Sequence, residues 1–188
     1  MKKAKASEIY QLKITLKYSH PPIWRRVQVP GDMTLGKLHG VIQAAMGWYD
    51  SHLHQFIVGK AYYGLPSFDE VSELELNDER KVGLSKVLSK SKQKIVYEYD
   101  FGDSWQHEIL LEKIVPPDSK TRYPICLGGA RACPPEDCGG IGGYASFLQA
   151  ISDPGHEEHK ETLEWVGGEF DPEAFDLEAA NRALKRIR

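Results

Sequence analysis

Between Tyr10 and Tyr18 the apolar residues fall on every second position, Tyr10, Leu12, Ile14, Leu16 and Tyr18, with Gln11, Lys13, Thr15 and Lys17 between them. A period of two predicts a strand with one face in a core and the other toward water. His20-Pro21-Pro22 ends it, because proline has no N–H to give to a ladder. Ile23, Val27 and Val29 continue as a second strand up to Pro30-Gly31, and the two are expected to pair as a hairpin. The period then changes. Leu35, Leu38, Val41, Ile42, Ala45 and Met46 recur at helical spacing, with Asp32 or Thr34 as N-terminal cap and Gly47 as C-terminal cap. Strand character returns from His52 to Val58, and the irregular, acidic stretch from Tyr62 to Asn77 reads as a loop.

A short helical turn is expected at Leu84, Val87 and Leu88. Alternation resumes from Lys94 to Phe101 and again from Trp105 to Val115, with the turn residues Gly102-Asp103 between. Two strands, a helix, a strand and a closing hairpin make an α+β fold: a mixed, mostly antiparallel sheet with a packed helix, β-grasp-like in arrangement. Pro116-Pro117 marks a change of character, followed by a Gly-, Pro- and Cys-rich stretch from Tyr123 to Gly143. Three helical patterns close the chain. Tyr144, Phe147, Leu148 and Ile151 form the first, stopped by Asp153-Pro154; the second runs from His156 to Val166; Leu177, Ala180, Leu184 and Ile187 form the third, capped by Asp176. One domain over 1–188 is expected, with a sheet-and-helix core at 8–116 and a part at 117–188 whose helices cover the sheet face that the first helix leaves open.

Composition narrows the partners. The chain has 188 residues, 41% hydrophobic and 27% charged, as an ordinary globular protein does. With 24 basic and 27 acidic residues the net charge is −3, so no global field draws it to a phosphate backbone. Local basic groups are Arg25-Arg26 beside Trp24, and Lys185, Arg186 and Arg188 near the end. The lysine-bearing arm Met1 to Ser7 is expected to fray and is followed by no apolar stretch. No run approaches the roughly 20 apolar residues of a membrane span, so a cytoplasmic protein without a membrane partner is expected. Three cysteines cannot all pair within one chain, which leaves them as thiols or metal ligands.

Three constellations can carry chemistry. In Tyr99-Asp100-Phe101-Gly102-Asp103-Ser104-Trp105-Gln106-His107, a turn with two carboxylates adjoins a strand with a histidine. His52 and His54 lie two apart on their own strand. Were the two segments neighbours, His52, His54, Asp100, Asp103 and His107 could converge as acid-base groups or metal ligands. The alternative is ordinary turn chemistry, in which Asp bonds its own backbone. The second constellation is Cys126, Cys133 and Cys138, spaced C-x6-C-x4-C, where zinc would need His156 or His159 as fourth ligand. The third is Gly139, Gly140, Gly142 and Gly143 ahead of a helix. Glu136 and Asp137 would repel a phosphate there and no GK[ST] follows, so a close-packed turn is the better account. There is no G-x-S-x-G, C-x-x-C, H-E-x-x-H or dinucleotide fingerprint.

Several motifs in order resemble one family. Pro22-Ile23-Trp24-Arg25-Arg26, Leu35 to Trp48 with His52-Leu53-His54-Gln55-Phe56, Tyr97 to His107, Cys133-Pro134-Pro135-Glu136-Asp137-Cys138-Gly139-Gly140, and Phe170-Asp171-Pro172-Glu173-Ala174-Phe175 resemble the Ri-plasmid open-reading-frame-three-like proteins. The resemblance runs from about Ile9 to the C-terminus. It implies a prokaryotic, intracellular α+β protein of no established biochemical function, with relatives carried as passengers of insertion elements, and it supplies no catalytic residues. A resolvase label attached to some relatives does not transfer, since Ser7 sits in a lysine-rich arm without the arginines a serine resolvase needs.

The leading expectation is a binding or interaction module whose sheet presents Trp24, Arg25, Arg26 and Trp105 to a protein or small-molecule ligand. A metal-assisted hydrolase built on the His/Asp cluster is the alternative. A nucleic-acid-associated accessory protein of mobile elements is the third reading, resting on family context and the Trp24-Arg25-Arg26 cluster.

Overall fold

The computed structural model describes residues 7–66 and 76–187. In chain order the elements are strands β1 (Ile9–Leu16) and β2 (Trp24–Pro30), helix α1 (Leu35–Met46), strands β3 (His54–Val58), β4 (Ala61–Gly64) and β5 (Leu76–Asp78), a 3-10 turn (Glu79–Lys81), helix α2 (Leu84–Val87), strands β6 (Lys94–Tyr99), β7 (Trp105–Val115) and β8 (Ile125–Ala130), and helices α3 (Gly140–Ser152), α4 (His159–Val166) and α5 (Leu177–Leu184). The hairpin of β1 and β2 forms as the alternation requires. Helix α1 begins where Thr34 accepts from the Lys37 N–H and ends at Gly47 in the left-handed region, φ 98°. Residues 1–6 of the expected frayed arm lie outside the described residues. The expected loop from Tyr62 to Asn77 instead contains β4 and β5, which pair in parallel; residues 67–75 lie outside the description.

Among the described residues the strands form one sheet in the order β5-β4-β3-β6-β7-β1-β2-β8. The pairs around α1 are antiparallel: β1 with β2, β1 with β7, β6 with β7, and β3 with β6. Alternation along β2, β6 and β7 sorts the side chains cleanly. Val27, Val29, Tyr97, Tyr99, Trp105, Ile109 and Leu111 are buried, whereas Arg26, Gln28, Glu98, Gln106 and Glu108 stay partly accessible.

All the helical packing falls on one side. The C-terminal helices do not cover the face that α1 leaves open. Ile187 meets α1 at Gly40, and Ala180, Leu184, Tyr144 and Phe147 share one apolar cluster with α1 and the inner sheet residues. The reason is polarity. The outer face carries Gln11, Lys13, Arg26, Glu112, Lys94 and Glu108, tied into pairs such as Arg26 with Glu112 at 2.7 Å and Lys94 with Glu108 at 3.0 Å. Covering such a face would cost hydration and bury little apolar area.

Strand β8 is the element hidden in the Gly- and Cys-rich stretch. Its sequence, Ile-Cys-Leu-Gly-Gly-Ala, shows no alternation because its partner supplies the bulk. Gly129 lies opposite Arg25, and a Cβ there would come within 2.8 Å of both Arg25 Cδ and the Phe175 ring. The free edge of β8 is closed by Asn181 on α5, whose side chain accepts from the Cys126 N–H at 2.9 Å and donates to the Cys126 carbonyl at 3.0 Å. A side-chain amide thus stands in for a neighbouring strand on an otherwise open edge.

Candidate functional site

The pleat of β2 decides the fate of the basic cluster. Trp24 and Arg26 point to the outer face, where Arg26 lies 5.1 Å from the Trp24 ring and forms two bonds to Glu112. Arg25, one residue away, points into the helical layer and is 2% exposed. Trp24, Arg25 and Arg26 therefore do not form one basic patch, which follows from strand alternation. Arg25 donates from Nε to the Ala45 carbonyl at 2.9 Å, in the last turn of α1, and from Nη1 to the Trp24 and Ala130 carbonyls at 2.9 and 3.0 Å. Phe175 lies under its guanidinium at 4.2 Å.

Arg25 lines a cavity of about 790 Å³ between the end of α1, residues 132–137, and α4 and α5. Met46, Trp48, Trp165, Phe170 and Phe175 give it aromatic and apolar walls, and Ala44, Ala179, Ala180 and Ala183 leave the space open. Trp48 is locked in place: its Nε1 donates to the Pro134 carbonyl at 3.0 Å, and its ring packs on Tyr99 at 5.0 Å and edge-on to His107 at 5.2 Å. Glu136 and Asp137 stand in the same lining. Glu136 accepts from the Tyr49 N–H at 2.8 Å and from the Tyr99 hydroxyl at 2.9 Å. Burial, and then this carboxylate, raise the Tyr99 hydroxyl well above its ordinary range.

A second polar centre lies across α1. The Asp50 N–H donates to Gln43 Oε1, so Gln43 Nε2 faces and donates to the Tyr97 hydroxyl. The Asp50 carboxylate can only accept, so His39 Nε2 donates to Oδ1 at 2.7 Å, and Nδ1 of the neutral ring accepts from the Tyr97 hydroxyl at 2.8 Å. The ring of bonds starts and ends at Asp50 and fixes the neutral tautomer of His39. Burial, and next the neighbouring His54, hold His39 below its ordinary pKa. The His39 and His54 rings stack at 3.4 Å and 3° between planes, and His54 Nε2 meets the buried Glu79 at 2.9 Å. Tyr97→Phe is expected to break this ring and to cost about 1–2 kcal/mol in urea unfolding. A cost near zero would mean that water replaces the hydroxyl without penalty.

The five expected cluster residues are neighbours without converging. Strand β3 does pair with β6, which forms the hairpin with β7. But His54 sits opposite Tyr99 and His107 opposite Tyr97 on the same face, so the Tyr97 ring stands between them at 5.9 and 5.6 Å. His107 is fully buried; its Nδ1 donates to the Trp105 carbonyl at 3.0 Å, Nε2 has no partner among the described residues, and burial pushes its pKa down to about 3. Trp105, expected on a presenting surface, is fully buried, and its Nε1 has no partner among the described residues. Asp103 accepts from the Gly139 N–H at 3.1 Å, and Asp100 accepts from the Gly102 N–H in its own turn at 2.9 Å. His52 precedes the strand and alone approaches Asp100, at 3.7 Å.

Two His/Asp groups among the described residues bring donor atoms within 4.8 Å of one another: His39, Asp50 and His54; and His52, Asp100 and Asp137. Neither closes around one point. In the first, stacked parallel rings keep their lone pairs in separate planes, so one ring must turn before both can bind one ion. In the second, His52 faces Asp100 with Nδ1 and Asp137 with Nε2, from opposite ring edges. Neither group contains a cysteine. Cys126 is buried beside the Gly128 carbonyl, burial raises the Cys133 thiol, and burial pushes Cys138 up to about 12. His156 and His159 are occupied elsewhere, His156 Nδ1 accepting from the Glu158 N–H and His159 Nδ1 bonding the Ala150 carbonyl. The structure does not assemble the expected zinc set. The residues that the sequence reading passed over are His39, Asp50 and Glu79. His39 carried a usable signal: it lies four residues after Leu35 and three before Ile42, a polar residue on the buried stripe of α1.

Fold and cavity together define an α+β protein with a one-sided sheet and an aromatic-walled cavity beneath its C-terminal helices. The chain belongs to the plasmid pRiA4b ORF-3-like family, whose model matches residues 8–179. It is 40% identical over 179 residues to the uncharacterized protein y4hQ of Sinorhizobium fredii, covering 95% of this chain and 91% of that one. A crystal structure of a protein of unknown function, MM3350 from Methanosarcina mazei Go1, is similar with a TM-score of 0.83 and 40% identity, covering 93% of this chain and 98% of that one. Among the described residues no helix is long and apolar enough to cross a membrane.

Proposed function

We propose that this protein binds a small organic molecule in the cavity between α1, residues 132–137 and the C-terminal helices. One observation carries the reading: a space of about 790 Å³ walled by Met46, Trp48, Trp165, Phe170 and Phe175. Its size falls within the range of ligand sites, roughly 300–1,000 Å³. Seven alanines among its lining residues keep open a space that larger side chains would fill. The neutral, environment-sensitive dye Nile red is expected to bind with enhanced fluorescence, and Ala183→Trp, which fills the space, to reduce its affinity at least about tenfold by displacing apolar contact. Absence of dye binding to the wild-type protein would remove this reading.

A further inference from the structure

The two buried arginines of the described chain are treated differently. Arg131 pairs with Glu173 at 2.8 Å. Arg25, more deeply buried, has three backbone carbonyls and the Phe175 ring, and among the described residues no carboxylate pairs with it. Its Nη2 makes no hydrogen bond to those residues, although the side chain lines the cavity. A guanidinium cannot shed its proton to escape burial. A cation without a counter-charge is costly inside a protein, and a ligand anion is the economical partner. The carbonyls account for Nε and Nη1 as a clasp on the end of α1; they leave the charge itself unneutralised.

The cavity also limits the kind of anion. Glu136, Asp137 and Asp176 line it, three carboxylates against one guanidinium. They repel a doubly charged phosphate about twice as strongly as a singly charged carboxylate. Resting on the cavity reading above, we infer that the natural ligand is a monocarboxylic acid with an apolar or aromatic body, its carboxylate accepting from Arg25 Nη2 and its body lying against Trp48 and Phe175.

The test is displacement of Nile red at neutral pH by three probes of one shape: naphthoate, naphthylmethanol and naphthyl phosphate. Naphthoate is expected to displace the dye at a concentration at least about tenfold below the alcohol, the lower bound for a hydrogen bond to a charged group. Naphthyl phosphate is expected to be weaker than naphthoate. In Arg25→Met, checked for folding by circular dichroism, the carboxylate-to-alcohol ratio is expected to fall to about one while the dye still binds. Equal displacement by acid and alcohol, or by neither, overturns the inference and leaves the cavity reading standing. So does a ratio that survives in Arg25→Met, and phosphate as effective as carboxylate overturns the choice of anion. If Arg25→Met does not fold, the wild-type ratios decide alone; if Nile red never binds, the cavity reading itself has failed.

Discussion

Gly143→Ala is expected to destabilise the protein by at least about 3 kcal/mol, whereas Gly142→Ala, one residue away, is expected to stabilise it by about 0.5–1 kcal/mol. Both positions lie in the first turn of α3. A Cβ at Gly142 would meet nothing within 4 Å among the described residues, so alanine there only removes the entropy cost of glycine in a helix. At Gly143 it would overlap the Cys138 carbonyl oxygen, a backbone atom that cannot swing aside. Cys138 belongs to the stretch leading into Gly139 and Gly140, both at positive φ, and a Cβ on Gly140 would meet the Asp103 carbonyl at 2.5 Å. Displacing Cys138 therefore disturbs the seam between α3 and the β6–β7 turn. Urea midpoints of the two variants give the comparison directly. Equal effects would mean that the glycines are not there for close packing.

Stability is expected to fall with acid well before the carboxylates titrate, by roughly 2–3 kcal/mol between pH 6.5 and pH 4.5. His107 is the main cause. Unfolded, it takes up a proton near pH 6.5; folded, burial holds it neutral down to about 3. The unfolded state thus binds more protons between those values. The contribution is complete above pH 6.5 and is lost as the pH falls, by about 1.4 kcal/mol per unit. Protonation would put a charged N–H at Nε2, which lies beside Trp48 and Tyr97 with no hydrogen-bond partner among the described residues. His39, also held below its ordinary value, adds to the slope in the same direction. His107→Phe should cost about 1 kcal/mol at pH 7 for the lost bond to the Trp105 carbonyl and should flatten the acid limb. Urea titrations at several pH values test this, and an unchanged slope in the variant would place the acid sensitivity elsewhere.

The motifs around His52, His54 and Asp100 to His107 lie on adjoining strands, yet their side chains do not converge and do not line the cavity. The closing hairpin of β6 and β7 forms as expected, β3 adjoins it, and α1, β7, α5 and the Asp176 cap stand where their patterns placed them. Convergence failed because side-chain direction depends on register. His54 opposite Tyr99 and His107 opposite Tyr97 are separated by one pleat repeat and a ring between them. Sequence spacing carries no record of that offset.

The period of the hydrophobic pattern is a local property, so for the long periodic segments the sequence alone determined strand or helix and which face is apolar, whereas β4 and β5 fell in a stretch without a period. In principle it also determined that Arg25 and Arg26 must point to opposite sides of their strand. Strand β8 escaped because its pattern is complementary rather than periodic: its glycines make sense only once Arg25 and Phe175 are seen to cross them. The cavity, the ring of bonds through Asp50, Gln43, Tyr97 and His39, and the missing counter-charge of Arg25 belong to the tertiary structure. Most of these join residues tens of positions apart, as Tyr97 with Gln43 and His39, through register and packing, and free energies of pairing act through space without leaving a mark on the spacing of the chain.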